Sequence, residues 1–173
     1  YFENGKQMSG GVTQQFFVSK AFAKDIKLTN EPSKKYYEKG AKSLVDGVKG
    51  NPGKHGRDWL GFDKGQDMEA VIDFGKKETF STLKTGTLEG TENWIYYPQF
   101  IEVFTSDDGN NFKSVKKMSK NDIEGVKGII TMNLGAQNAR YVKILVKNHG
   151  TIPEGNAGAG NGAWLFVDEL QIN

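Results

Sequence analysis

The chain has 173 residues, enough for one domain that buries its own core without covalent staples. Its 23 basic and 21 acidic residues are spread along the sequence for a net charge of +2, whereas a nucleic-acid binder would carry a concentrated basic stripe. The absence of cysteine excludes disulfides, thiol catalysis and thiolate zinc sites, and no apolar run approaches the roughly 18 residues of a membrane span.

Residues 1–20 read as a leading strand or a linker from a preceding domain, with a strand candidate at 15–18. The chain opens at Tyr1 without Met or signal peptide, so it is expected to be a fragment of a longer protein. Residues 21–173 read as one module. Period-two alternation predicts strands at 26–29 and at 68–74, where Ala70, Ile72 and Phe74 oppose Glu69 and Asp73. Further strands are predicted at 82–88, at 99–105 around Ile101 and Val103, at 112–116 and at 129–134. The clearest alternation is at 141–147, where Val142, Ile144 and Val146 share one face and Lys143 and Lys147 the other. A last strand is predicted at 166–172. Asp46-Gly47, Asn51-Pro52-Gly53, Asp107-Asp108-Gly109 and Asn148-His149-Gly150 punctuate these runs as turns. Only 20–25 and 119–126 could hold a helical turn or two. The pattern is that of an all-β protein, an antiparallel sandwich or jelly roll.

Residues 150–163 form a long Gly-rich loop. A strand rather than a helix follows it, so its glycines are not placed to cradle phosphate. No nucleophile elbow, His-Glu-x-x-His motif or Walker loop occurs, and the two histidines, His55 and His149, are far apart. No catalytic residues are expected. The aromatic residues between strands, Trp59, Trp94, Tyr96, Tyr97 and Trp164, lie mostly beside Gly or Asn. An aromatic ring with a polar rim suits the C–H face of a pyranose, and His55 and Arg57 near Trp59 supply donors for sugar hydroxyls. The competing reading is that these tryptophans cap the ends of the sandwich core.

Several segments together resemble a known family. Leu44-Val45-Asp46-Gly47, Trp59-Leu60-Gly61-Phe62 and residues 67–75 are similar to the opening strands of the discoidin domain, also called the coagulation factor V/VIII type C domain. Residues 106–112, 139–144 and 164–170 resemble its hairpin, a late strand and its closing strand, in the same order. The segments 57–62, 93–98 and 164–170 look most like modules appended to bacterial family 20 β-hexosaminidases and related glycosidases, grouped with family 32 carbohydrate-binding modules.

The resemblance implies an antiparallel, eight-stranded jelly-roll β-sandwich of the discoidin-like, galactose-binding-domain-like kind, with a structural calcium and a sugar site in loops at one end. It carries the metal role onto Asp46 and Glu169, and less directly, through carbonyls, onto Ser43 and Asn51. The sugar site is expected in loops 54–59 and 92–97 and the Gly-rich loop up to Trp164. Trp94 or Tyr96 would be the stacking platform, with Trp164 or Trp59 in reserve. His55 and Arg57 would bond hydroxyls, and Asn161 would add an amide. The expected ligand is a glycan ending in a galactose-type or N-acetylhexosamine-type sugar. The expected partner in cis is the catalytic domain of a glycoside hydrolase, on a monomeric protein that is secreted, periplasmic or on the surface of a bacterium. The cysteine pair and membrane-entering hydrophobic spikes of the animal members are missing, so membrane insertion is not expected. A structural accessory module, or a protein-interaction or adhesion module, would have the same fold and no sugar site.

Overall fold

A computed structural model describes residues 2–3, 6–7, 19–37, 39–51, 56 and 58–173. Strands β1 (Phe2–Glu3) and β2 (Lys6–Gln7) pair with each other. The module proper is built from β3 (Asp25–Leu28), β4 (Leu60–Phe62), β5 (Met68–Gly86), β6 (Phe100–Ser106), β7 (Lys113–Ser119), α1 (Lys120–Gly125), β8 (Ile129–Lys147), β9 (Leu165–Val167) and β10 (Gln171–Ile172). Every strand pairing among these elements is antiparallel.

Strands β5 and β8 serve both layers of a sandwich-like arrangement. The first half of β5 lies between β3 (Ile26↔Ile72) and the second half of β8 (Ala70↔Ile144), and β8 continues the sheet to β6 and β7. The second half of β5 pairs with the first half of β8 (Leu83↔Met132) and with β10 (Leu83↔Ile172). Register shifts between Asp73 and Glu78 and between Phe80 and Thr82 let the long strand bend from one layer to the other. Strand β9 joins the second layer through a bridge between Val167 and Thr87, and β4 pairs outside it (Gly61↔Phe166). Ile72, Leu83, Val103, Met132, Ile144 and Ile172 fill the space between the layers.

The alternating patterns therefore mark real strands, but 68–74 and 82–88 are two halves of one bent strand, as are 129–134 and 141–147. The strand predicted at 166–172 is interrupted at 168–170, where the Leu170 N–H turns aside to the Leu44 carbonyl (2.7 Å). Residues 119–126 hold α1, started by a capping box in which Ser119 and Asp122 satisfy each other's backbone N–H. Residues 20–23 form a turn, and β3 already begins at Asp25. The candidate strand at 15–18 lies outside the described residues.

The module's start and end lie together, since the Lys20 N–H donates to the Ile172 carbonyl (2.8 Å). Register also gathers the loops. Met68 faces Val146, and Phe100 faces both Lys147 and Ser119, so segments 63–67, 87–99, 120–128 and 148–164 converge at one end.

Candidate functional site

Along β9, Leu165 and Val167 belong to the main core, so Phe166 between them points to the opposite, outer face. There it nucleates a second, smaller cluster with Trp59, Leu88 and Ile95, against which Tyr36 and Trp164 pack. Gly61, opposite Phe166 on β4, makes the space. A Cβ there would come within 3.0 Å of both the Phe166 and Tyr36 rings. Trp164 stacks over Phe166 (5.7 Å, 26°), and Tyr36 stands edge-on to both, 5.5 Å from Trp164 and 4.8 Å from Phe166.

The upper surface of this cluster is a cleft of about 140 Å³ lined by Lys35, Tyr36, Asn93, Ile95, Trp164 and Phe166. The Lys35 ammonium sits 5.3 Å over the Tyr36 ring. Trp94 stands beside the cleft at the end of a 3-10 turn, Thr91–Asn93, in a left-handed conformation (φ 65°). It is 37% exposed. Its carbonyl accepts the Trp164 N–H (2.8 Å), and its indole lies flat against Gly158 of the Gly-rich loop, where any Cβ would collide with the ring. The Gly-rich loop, Trp94 and Trp164 thus form one assembly.

The expected sugar contacts divide accordingly. Trp94 is half-exposed, and Trp164 lines the cleft. Trp59 does not line this cleft: it is 3% exposed in the outer cluster, seated against Gly50, its Nε1–H is taken by the Asn51 carbonyl (3.2 Å), and it borders the larger cleft around Gly86 and Asp168 instead. Tyr96 does not line it either. It is buried with Ile152 and Ala163 and stacks on His149 (4.7 Å, 30°), under the base of the Gly-rich loop. Both were expected at the ligand because they sit in loops, and the structure buries both rings. Asn161 is exposed, and its amide donates to the Gly158 carbonyl (2.9 Å), bracing the loop that holds Trp94. His55 and Arg57 lie outside the described residues. Tyr36 and Lys35 were missed. They fall in the charged stretch Lys34-Lys35-Tyr36-Tyr37, which reads in sequence only as basic residues near a turn.

Of the expected metal residues, Ser43, Asp46 and Glu169 lie on segments that run side by side, while the Asn51 carbonyl accepts the Trp59 indole N–H (3.2 Å). The Leu170-to-Leu44 hydrogen bond lays loop 43–51 along 168–170. Glu169 is fully buried, and neither carboxylate oxygen completes a hydrogen bond, although the Asp46 and Gly47 N–H groups face it. Burial pushes its carboxyl up to about 8, with the Asp46 and Asp168 charges adding to the shift. The Ser43 hydroxyl is also buried and unpartnered. These orphaned oxygens suit an oxygen-loving cation. Asp46 is engaged otherwise: Lys39 bonds one oxygen (2.8 Å) and the Val48 N–H the other (3.0 Å). Among the described residues no cluster of three or more His, Asp or Glu could hold a metal, so backbone carbonyls would have to complete the shell.

The fold has counterparts in known proteins. Solved structures similar to this chain include chitosan-binding module 1 of a chitosanase/glucanase from Paenibacillus sp. (16% identity, TM-score 0.60, 91% of this chain and 99% of that one). Another is a CBM32 module from Clostridium perfringens, solved with GalNAc-β-1,3-galactose (17%, TM-score 0.58, 86% and 93%). A third is a fucose-binding module from Streptococcus pneumoniae (15%, TM-score 0.59, 91% and 98%). No curated protein gives a significant match to the chain. The family model for the F5/8 type C domain matches residues 25–165, from the first strand of the sandwich to the edge of the aromatic cleft, and the chain belongs to that family.

Proposed function

We propose that this domain is a non-catalytic carbohydrate-binding module that holds a glycoside hydrolase at terminal sugars of a glycan. The observation that carries the reading is the aromatic cleft. Trp164 and Tyr36 offer apolar walls, Asn93 and Lys35 offer hydrogen bonds at the rim, and Trp94 stands exposed beside them. A shallow, largely preformed site of this kind binds weakly, on the order of 0.1–1 mM. Tethering to an enzyme on a multivalent surface turns weak affinity into useful avidity. Structural neighbours named for chitosan, GalNAc-β-1,3-galactose and fucose support sugar as the ligand class. Galactose-type or N-acetylhexosamine-type termini are the first candidates. The module would act outside the cytoplasm, as a monomer, with its catalytic partner in cis.

Calcium would be held by Glu169, by Ser43 and by carbonyls of loop 43–51. When bound it would neutralise the buried carboxylate and fix the loop. The reading is tested by a glycan array followed by calorimetry on wild type, Trp164→Ala and Trp94→Ala. Loss of binding in folded variants is expected. If wild type binds no glycan, the domain is an accessory packing module.

A further inference from the structure

A second cleft, twice the size of the aromatic one at about 280 Å³, lies on the outer face of the second layer. Leu83 of β5 and Ile130 of β8 point into the core, so Gly86 and Ile129, paired with each other, turn outward. The cleft's floor is Gly86 and the Asp168 carboxylate lying across it. A Cβ at position 86 would come within 2.9 Å of that carboxylate, so only glycine admits it. Asp168 is 4% exposed, and its oxygens accept the backbone N–H groups of Gly86 and Gly50 (3.2 Å for the latter). An ionised carboxylate has about four acceptor positions. Two are used in this way, which leaves capacity for a ligand.

The walls mix apolar and polar groups. Ile129 is 64% exposed, the most exposed large apolar side chain among the described residues. Tyr97 is half-buried, its ring flush against Gly128, where a Cβ would lie 2.7 Å from it. Glu89 supplies a second carboxylate, and Lys49 and Lys127 supply ammonium groups. Burial and the neighbouring Glu124 raise the Glu89 carboxyl above its ordinary value, and burial with Glu89 and Glu124 raises the Tyr97 phenol. Both shifts mark a partly desolvated cleft in which a hydrogen-bond donor would stabilise carboxylate charge.

We infer that this cleft is a second saccharide subsite, separate from the aromatic cleft, which takes one neutral sugar unit. Its hydroxyls donate to Asp168 and Glu89 and accept from Lys49 and Lys127. Its C–H face lies against Ile129 and Tyr97. The mixed lining argues for a polyol: carboxyl and ammonium groups stand side by side, so one neutral ligand can both donate and accept.

Isoleucine δ-methyl NMR of the whole chain, with calcium present, reads both clefts at once. Ile95 lines the aromatic cleft and Ile129 the second. The probes are galactose, N-acetylglucosamine and glucosamine hydrochloride. Saturable movement of the Ile129 methyl with a neutral sugar, at millimolar midpoint, is expected. Glu89→Ala should weaken that titration at least fivefold and leave the Ile95 titration alone, whereas Trp164→Ala should do the reverse. Glu89 is on the surface, so its removal does not threaten folding. The inference is overturned if Ile129 stays still in both neutral sugars, if it responds only to glucosamine, or if its response disappears with Trp164→Ala. Failure of the proposed aromatic site would show separately, as a silent Ile95 methyl.

Discussion

Glu169→Gln offers a strong test of the buried acidic site. Without metal, the Glu169 carboxyl is raised from 4.5 to about 8. An acid whose folded-state pKa is raised binds more protons in the folded than in the unfolded chain across that window. Stability is then fully present below the unfolded value and is lost as pH climbs toward 8. At about 1.4 kcal/mol per pKa unit the full shift corresponds to roughly 5 kcal/mol, and about half of that is a realistic yield once the site relaxes. Glutamine keeps the shape and removes the charge. In chelator at pH 8, Glu169→Gln should be more stable than wild type by about 2 kcal/mol, with the difference fading toward pH 5. The order should invert in calcium, because the amide gives up the anionic ligand. Urea denaturation of both proteins at pH 5 to 8, in chelator and in calcium, measures this. Comparing variant with wild type cancels His149, whose depressed pKa acts with the opposite sign. Equal loss of stability by the variant at every pH, with or without calcium, would refute the account.

Gly158→Ala should reduce sugar affinity about tenfold, roughly 1.4 kcal/mol. It forces a side chain onto the Trp94 indole at a φ of +78°, and calorimetry beside a melting curve separates the loss from unfolding. Tyr96→Ala and Trp59→Ala should each cost about 3–5 kcal/mol of stability, seen in urea midpoints, because both rings are buried. Arg140→Ala should cost about 0.5–1 kcal/mol at neutral pH and low salt, less in high salt. Its guanidinium bonds both Asp73 oxygens (2.9 Å each) and holds that carboxyl down at about 2, so the cost should fade as pH falls from 4 toward 2.

Strands with one face on the core were legible in the sequence, because burial of alternate residues writes directly into the residue order. Ile72, Ile144 and Val103 are core residues that the alternation marks. The joins were not legible. Asp73 to Glu78 reads as an end followed by charges, yet Gly75, at φ 80°, lets β5 bend and continue into the second layer. Strand β4 escaped alternation because Leu60, Gly61 and Phe62 are all buried, a pattern that period two cannot reveal.

The tryptophans show why composition finds a site and geometry must sort it. Trp59 and Trp94 are both loop residues whose indoles rest against a glycine, Gly50 and Gly158 respectively. Nothing local to either separates structural from ligand-facing use. The difference arises at a distance: Phe166, turned outward by strand parity, draws Trp59 beneath it into the outer cluster and leaves Trp164 on top. Trp94, itself in a left-handed conformation, lies outside that cluster with its indole against Gly158 of the Gly-rich loop. The parity of one closing strand therefore decides which rings are buried in the outer cluster and which stay at the surface. Tyr36 joins them because Gly61 leaves room for its ring, a contact between residues 25 apart in sequence that no motif around Tyr36 encodes.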